Sequence, residues 1–315
     1  MRKIITLFLL FVVKIIFSQD IHFSQPFVDR MYFNPAKVGD IVKADYRFSI
    51  QRKSQWESVS IPFSSLSSSC EFKNIYNSFN MGINFLNDKA GSSSLSLNQL
   101  NIAISKKLNL LNINSLSVGL LAGFGQKSID YSELIFEENE NFITNKFVFP
   151  DFGLGLNYKT NTNKIVSYEF GFSSYHLNSP KNSFNENQNT SLPIKNNFNF
   201  GINYRFSTKS KIFSELIYTK QSSQKEMLLG FRPTIELDKI YLFPLIYYRF
   251  NDAAIVGVGM EKNNIQANIC YDINVSDLTP ASNYRGGFEF AIIYVWEKTK
   301  DKKTKRIEEK CPKYL

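Results

Sequence analysis

The chain has 315 residues, 15% of them aromatic, and its mean hydropathy of −0.21 is too low for a protein that crosses a membrane with apolar helices of about 20 residues. The formal net charge of +9 resides mainly at the two ends, and residues 19–296 carry only about +2. This small charge excludes the basic face that nucleic-acid-binding domains present.

The first residues predict export from the cytoplasm. Two basic residues precede an apolar run at 4–13, and Ser18 is a small residue at a suitable cleavage position. This arrangement is typical of a secretory signal peptide. We therefore predict that residues 1–18 are a cleaved signal peptide. An uncleaved anchor is the alternative, and Lys14 is the one residue that favours it.

The next segment, residues 19–40, lies ahead of the first strand pattern. It contains Asn34-Pro35, followed by Gly39. Proline fixes its own φ and pushes the preceding residue to extended geometry, and a glycine can turn the chain into a strand. We predict that residues 19–40 form a periplasmic lead-in or plug segment for the domain that follows.

From residue 41 onward, apolar and polar residues alternate. Phe48 and Ile50, for example, alternate with Arg47, Ser49 and Gln51, which gives a strand with one dry face and one wet face. No stretch of the sequence shows a sustained helical period. About fourteen such runs occur, near 41–52, 61–72, 78–87, 94–106, 115–126, 150–160, 164–175, 196–207, 210–220, 226–237, 239–250, 253–262, 264–274 and 284–296.

These runs predict an all-β protein whose residues 41–296 form a transmembrane antiparallel outer-membrane β-barrel of about 14 strands (12–14). Each run is close to the ~10 residues that a tilted spanning strand needs. Long polar connections at 127–149 and 176–195 alternate with short ones at 161–163 and 208–209, as outer loops alternate with periplasmic turns. A large β-sandwich is the alternative architecture.

The sequence offers no recognisable catalytic or metal site. His22 and His176 are its only histidines, and we interpret both as polar residues without a chemical function. Cys70, Cys270 and Cys311 are an odd number at wide spacing, which fits neither a disulfide framework nor a metal site. No Gly-x-Ser-x-Gly motif occurs. We therefore expect no enzymatic activity, no cofactor and no bound metal.

Short motifs follow one another in a specific order. They are Gln19-Asp20-Ile21-His22-Phe23-Ser24-Gln25, Phe33-Asn34-Pro35-Ala36 with Gly39, Arg52-Lys53-Ser54-Gln55-Trp56, Asp88-Lys89-Ala90-Gly91 and Cys311-Pro312. In this order they resemble the PorP/SprF family of type IX secretion system membrane proteins, over essentially the whole chain after the signal peptide. The two residues between Arg52 and Gln55 depart from the usual spacing of the family.

The resemblance implies a non-enzymatic outer-membrane component that assists the export or surface attachment of particular cargo, such as adhesins, often in connection with gliding motility. The implied partners are machinery subunits, exported cargo and outer-membrane lipid. We expect contacts with cargo at loops 127–149 and 176–195, and contacts in the periplasm at the N-terminal segment and at the basic tail 297–315. The family motifs supply candidate partner contacts at Gln19, Asp20, Phe23, Ser24, Gln25, Phe33, Asn34, Pro35, Ala36, Gly39, Arg52, Gln55, Trp56, Asp88, Gly91, Cys311 and Pro312.

Two other functions are consistent with a barrel. The first is an outer-membrane channel or transporter for small or apolar solutes, whose lumen would carry a ring of charges at Lys43, Asp45, Arg47, Arg205 and Arg249. The second is a membrane-embedded hydrolase, which would require one of the two histidines as its base.

Overall fold

The protein is described by a computed structural model that covers residues 20–42, 44–55, 63–90, 95–110, 114–130, 145–160, 165–184, 190–276 and 285–298. Within these residues, fourteen antiparallel strands form a closed barrel, as predicted. Each strand pairs with its neighbours in sequence, and β1 closes the barrel on β14. The strands are Tyr46–Gln55 (β1), Phe63–Tyr76 (β2), Phe79–Ala90 (β3), Leu95–Leu110 (β4), Asn114–Ser128 (β5), Lys146–Lys159 (β6), Val166–Tyr175 (β7), Lys195–Arg205 (β8), Ser210–Gln221 (β9), Gln224–Leu237 (β10), Ile240–Arg249 (β11), Ala253–Lys262 (β12), Ile265–Asn274 (β13) and Arg285–Trp296 (β14).

The alternating sequence pattern places apolar side chains outside the barrel and polar side chains inside. In β5, Leu120 and Phe124 point outward with 65% and 66% of their surface exposed. In β1, Arg47, Gln51 and Lys53 are buried on the inner face. An apolar outer face with a polar interior is the arrangement that a barrel in a lipid bilayer requires.

The two ends of the barrel differ in the length of their connections. We call the end at which β1 begins and β14 finishes the short-turn end, and its connections are 77–78, 111–113, 160–165, 206–209, 238–239 and 263–264. The opposite, long-loop end includes the connections 129–145, 176–194 and 275–284, although 222–223 and 250–252 there are short. The asymmetry expected from the sequence is therefore present.

An N-terminal segment precedes β1 and lies within the barrel. It contains one short helix, α1 (Arg30–Phe33), and a 3₁₀ turn at Pro35–Lys37. The first strand begins at Tyr46 rather than near residue 41, because Ile41 and Ala44 are still buried ahead of it. No helix among the described residues has the length and apolar character needed to cross a membrane.

Candidate functional site

The N-terminal segment runs along the lumen from one end of the barrel to the other. At the long-loop end, the backbone N–H of Asp20 donates to Gln221, the last residue of β9, over 3.1 Å. At the short-turn end, Asp40 pairs with Lys159, the last residue of β6. We call residues 20–28 the upper part of the segment and residues 29–40 its lower part.

The Asn-Pro-Ala motif fixes the lower part against the barrel wall. The side-chain oxygen of Asn34 accepts from the N–H of Ala36 over 2.9 Å, and the side-chain nitrogen donates to the carbonyl of Leu156 over 3.0 Å. Two wall glycines make this approach possible. A Cβ added at Gly119 would lie 2.4 Å from the nitrogen of Ala36, and one at Gly155 would lie 2.2 Å from the oxygen of Asn34. The wall therefore fits the shape of the motif.

A buried carboxylate, Glu71 on β2, joins two residues of the lower part to Arg47 on β1. It accepts from the N–H of Gly39 over 2.9 Å, from Arg30 over 2.9 Å and from Arg47 over 2.6 Å. The side chain of Glu71 is 0% exposed, so its charge depends on these partners for compensation. Gly39 has φ +72°, a backbone conformation that favours glycine. This conformation explains why a glycine occupies this position of the family motif.

Further charge pairs close the short-turn end around Asp40. Lys159 pairs with Asp40 and also with Glu169 over 3.2 Å, and Lys37 pairs with Glu169 over 2.8 Å. Burial works to raise the pKa of Asp40, but Lys159 and Arg30 outweigh it and hold the pKa well below its usual range. Asp40 is therefore charged at neutral pH and remains paired.

The upper part is held by a network of buried charges centred on Ser24. Its hydroxyl donates to Asp272 over 2.7 Å and accepts from Lys53 over 3.0 Å and from Arg249 over 3.1 Å. Lys53 also pairs with Asp272 over 2.9 Å. The backbone N–H of Ser24 donates to Glu289 over 2.7 Å. These wall residues lie on β1, β11, β13 and β14, so the network joins strands that are distant in sequence.

A histidine with two carboxylate partners binds the first residue of the upper part. His176, which is 4% exposed, contacts Asp151 through Nδ1 and Asp20 through Nε2, both over 2.9 Å. Lys195 lies 3.4 Å from the same carboxylate of Asp20. Burial lowers the pKa of His176, but the carboxylates of Asp20 and Asp151 more than offset it and raise the pKa to about 9. His176 is therefore a cation at neutral pH, and it fixes Asp20 at the long-loop end.

The pKa of Asp20 moves in the opposite direction. Burial works to raise it, but the charges of His176 and Lys195 hold the pKa well below its usual range.

A small cavity of about 20 Å³ lies beside Asp20, lined among others by Tyr32, Asp151 and His176. Its size admits about one water molecule.

The structure brings most of the motif residues together. Nine of them lie in the segment inside the lumen: Asp20, Phe23, Ser24, Gln25, Phe33, Asn34, Pro35, Ala36 and Gly39. Arg52 is on the exposed outer face of β1, Gln55 ends that strand, and Asp88 on β3 accepts from Ser65 over 2.6 Å. Gln19, Trp56, Gly91, Cys311 and Pro312 lie outside the described residues.

Sequence analysis missed the wall residues that hold the segment. Glu71, Asp272 and Glu289 were not among the predicted contact residues, although each is an acidic residue at an inward position of a strand, and this position could have identified them. His176 was interpreted as a polar residue without a function, and its two carboxylate partners are the finding that changes this interpretation. The described residues contain no group of three or more side chains suited to hold a metal ion.

Comparison with known proteins decides the family. The sequence model of the type IX secretion system membrane protein PorP/SprF matches residues 15–294. The chain belongs to the PorP/SprF family. It is therefore a type IX secretion system membrane component, and its barrel places it in the outer membrane in association with that machinery. No curated protein matches the chain.

Solved structures with a similar fold are outer-membrane barrels. The toluene transporter TbuX of Ralstonia pickettii is 10% identical, with a TM-score of 0.55 over 86% of this chain and 93% of that chain. A FadL homologue of Pseudomonas aeruginosa is 7% identical, with a TM-score of 0.51 over 86% of this chain and 94% of that chain. At these identities the likeness of the PorP/SprF protein to both concerns the fold alone.

Proposed function

We propose that this PorP/SprF protein is a non-enzymatic binding component that assists the export or surface attachment of particular polypeptides, such as adhesins that serve gliding motility. The observation that carries the proposal is the N-terminal segment, which runs along the lumen and is bound to charged side chains at both ends. A filled barrel is suited to present binding surfaces on a rigid scaffold.

The filled lumen argues against a channel for small solutes. Two of the five residues expected to form a ring of charges, Arg47 and Arg249, are bound to the segment instead. Arg205 is exposed, and Lys43 lies outside the described residues. The two cavities beside the upper part hold about 20 and 30 Å³, which is room for isolated water molecules.

The loop lengths support an orientation. Outer-membrane barrels have short periplasmic turns and longer outer loops. We therefore infer that the short-turn end faces the periplasm and that the loops 129–145 and 176–194 face outward, where cargo would bind. The tail 297–315 would leave on the periplasmic side, since the N–H of Lys298 donates to Asp45 at the short-turn end over 2.8 Å. This basic tail would then contact periplasmic subunits of the machinery.

The surroundings of His176 support a non-enzymatic role. Both ring nitrogens contact carboxylates, so neither is free to activate a serine hydroxyl as a hydrolase would require. His22 contacts Glu226 over 3.1 Å. Both histidines thus contact carboxylates, and these contacts hold the segment.

Comparative proteomics of the cell surface and the medium tests the proposal. A deletion strain is compared with its parent and with a strain complemented by the full chain. We expect the loss of one or a few large exported proteins, restored by complementation. An unchanged exported set, together with altered uptake of a small solute, would contradict the proposal and favour the channel.

A further inference from the structure

The wall beside the upper part binds main-chain atoms. Glu289 accepts from two successive backbone N–H groups, those of Ser24 over 2.7 Å and of Gln25 over 3.0 Å. Lys53 donates to the carbonyl of His22 over 2.9 Å. Every residue other than proline offers both a backbone donor and a backbone acceptor. These contacts would therefore form with many different sequences.

The same pattern continues deeper in the lumen. Arg47 donates to the carbonyls of Phe27 over 3.1 Å and of Val28 over 2.6 Å, and Gln51 donates to the carbonyl of Gln25 over 3.4 Å. Residues 20–25 belong to no helix or strand of the barrel. The wall thus provides an ordered set of side chains that fits, through its main chain, an irregular polypeptide with a turn at residues 26–28.

The side chains of the upper part fit this wall incompletely. Gln25 is fully buried, yet neither its amide nitrogen nor its amide oxygen forms a hydrogen bond. Asp272 Oδ1, on the facing wall, also forms none. A buried polar atom without a hydrogen-bond partner destabilises the state that contains it. The upper part is therefore bound less favourably than its contacts to the main chain would allow.

Two side-chain contacts define the chemistry that the wall selects. At the long-loop end, the cations His176 and Lys195 surround one carboxylate, that of Asp20. Deeper in the lumen, the guanidinium of Arg232 lies 3.9 Å from the ring centre of Phe27. A segment that fits the wall therefore carries a carboxylate at its outer end and an aromatic side chain at the position of Phe27.

We propose that residues 20–28 occupy a polypeptide-binding groove and that a segment of an exported protein, with that carboxylate and that aromatic side chain, takes their place. The lower part stays bound during the exchange, because the wall glycines fit its shape. The exchange begins at the long-loop end, where Ile21 and His22 are only half-buried. This inference rests on the proposed function, since it names the groove at which the exported polypeptide binds.

Cysteine labelling of the full chain in intact cells tests the exchange. Val28→Cys places a thiol in the upper part at a fully buried position, and Met31→Cys places one in the lower part at a position equally buried. Ile21→Cys, at the half-buried outer end of the upper part, is the control. The native cysteines Cys70, Cys270 and Cys311 are replaced by serine in all variants. A membrane-impermeant maleimide is applied to cells with active secretion and to cells whose secretion machinery is inactivated.

We expect Val28→Cys to be labelled in secreting cells and protected when secretion is inactivated, with Met31→Cys protected in both. Protection of Val28→Cys in both conditions would overturn the proposal, and so would labelling that does not depend on secretion. If heat-modifiability on SDS gels shows that Val28→Cys does not fold, Gln25→Cys takes its place. The proposed function fails separately, when the deletion strain keeps its complete exported set.

Discussion

The lower and upper parts of the N-terminal segment lie in one lumen, and wall side chains bind the main chain of both, but only the lower part also packs closely on wall glycines. The lower part packs on Gly119 and Gly155, which have no side chains, so that it lies close to the backbone of the barrel wall. The upper part is held at a distance by long charged side chains, such as Lys53 and Glu289, that bind its main chain. A shape-matched contact accepts one sequence, whereas contacts to the main chain accept many.

This difference has a consequence for function. A segment that stays in place needs a unique fit, and a segment that exchanges needs contacts that another polypeptide can reproduce. The lower part is suited to closing the lumen, and the upper part is suited to alternating with a partner. Three substitutions and one change of pH can contradict this distinction or make it sharper.

The largest effect is expected for Glu71→Ala. The substitution leaves Arg30 and Arg47 buried without their shared carboxylate, and removing one partner of a buried ion pair costs about 3–5 kcal/mol. We expect a lower unfolding temperature on SDS gels and faster hydrogen exchange in residues 29–40. Glu297→Ala, at an exposed position, is the control and should change neither. Loss of protection in residues 20–28 alone would contradict the division into two parts.

A somewhat smaller effect is expected for Gly119→Ala. Its Cβ would lie 2.4 Å from the backbone nitrogen of Ala36, and overpacking of this kind costs about 1–3 kcal/mol. Gly201→Ala is the matched control, because the nearest atom there is the ring edge of Phe213 at 3.1 Å. Hydrogen exchange of the lower part should rise in the first variant only. Equal behaviour of the two variants would mean that the shape of the wall does not hold the motif.

A change of pH should release only the outer end of the upper part. His176 has a pKa raised from its ordinary 6.5 to about 9, so its contribution is fully present below pH 6.5 and is lost as the pH rises through about 9. A spin label at Ile21→Cys, in the chain whose native cysteines are serine, should gain mobility over that range. His176→Gln should remove the pH dependence. A label at Met31→Cys should stay immobile. If it gained mobility at the same pH, the two parts would be released together and the distinction between them would be wrong.

The smallest effect is expected for Gln25→Met. The change removes two buried polar atoms without hydrogen-bond partners at nearly constant volume, which should stabilise the bound upper part by about 1 kcal/mol. Gln55→Met, at the half-buried end of β1, is the control. Hydrogen exchange in residues 20–28 should become slower in the first variant. Faster exchange there would show that the amide of Gln25 is a favourable contact.

The sequence predicts the barrel but not the contacts that fill it. Alternation of Arg47, Ser49 and Gln51 with apolar residues is a local signal, and it correctly assigns the inner face of β1. The contact between Ser24 and Asp272 joins residues 248 positions apart, and no local pattern encodes it. His176 shows the same limit, since its role depends on carboxylates that only the closed barrel brings to it.

The family motifs are intermediate between the barrel pattern, which the local sequence predicts, and the long-range contacts, which it does not. The sequence identified Asn34, Pro35 and Gly39 as residues that turn the chain, and the structure adds the wall glycines and Glu71 that require those turns. The motif residues thus lie in the segment, whereas Glu71 and Gly119 on the wall were not among the predicted contacts.

The most direct test of the account is the conductance of the purified full-length protein in planar lipid bilayers. A segment bound across the whole lumen predicts no steady open level in the wild-type protein, and frequent openings in Glu71→Ala, where the lower part is released. A steady, ion-conducting level in the wild-type protein would contradict the account, because it would show that the lumen is an open channel.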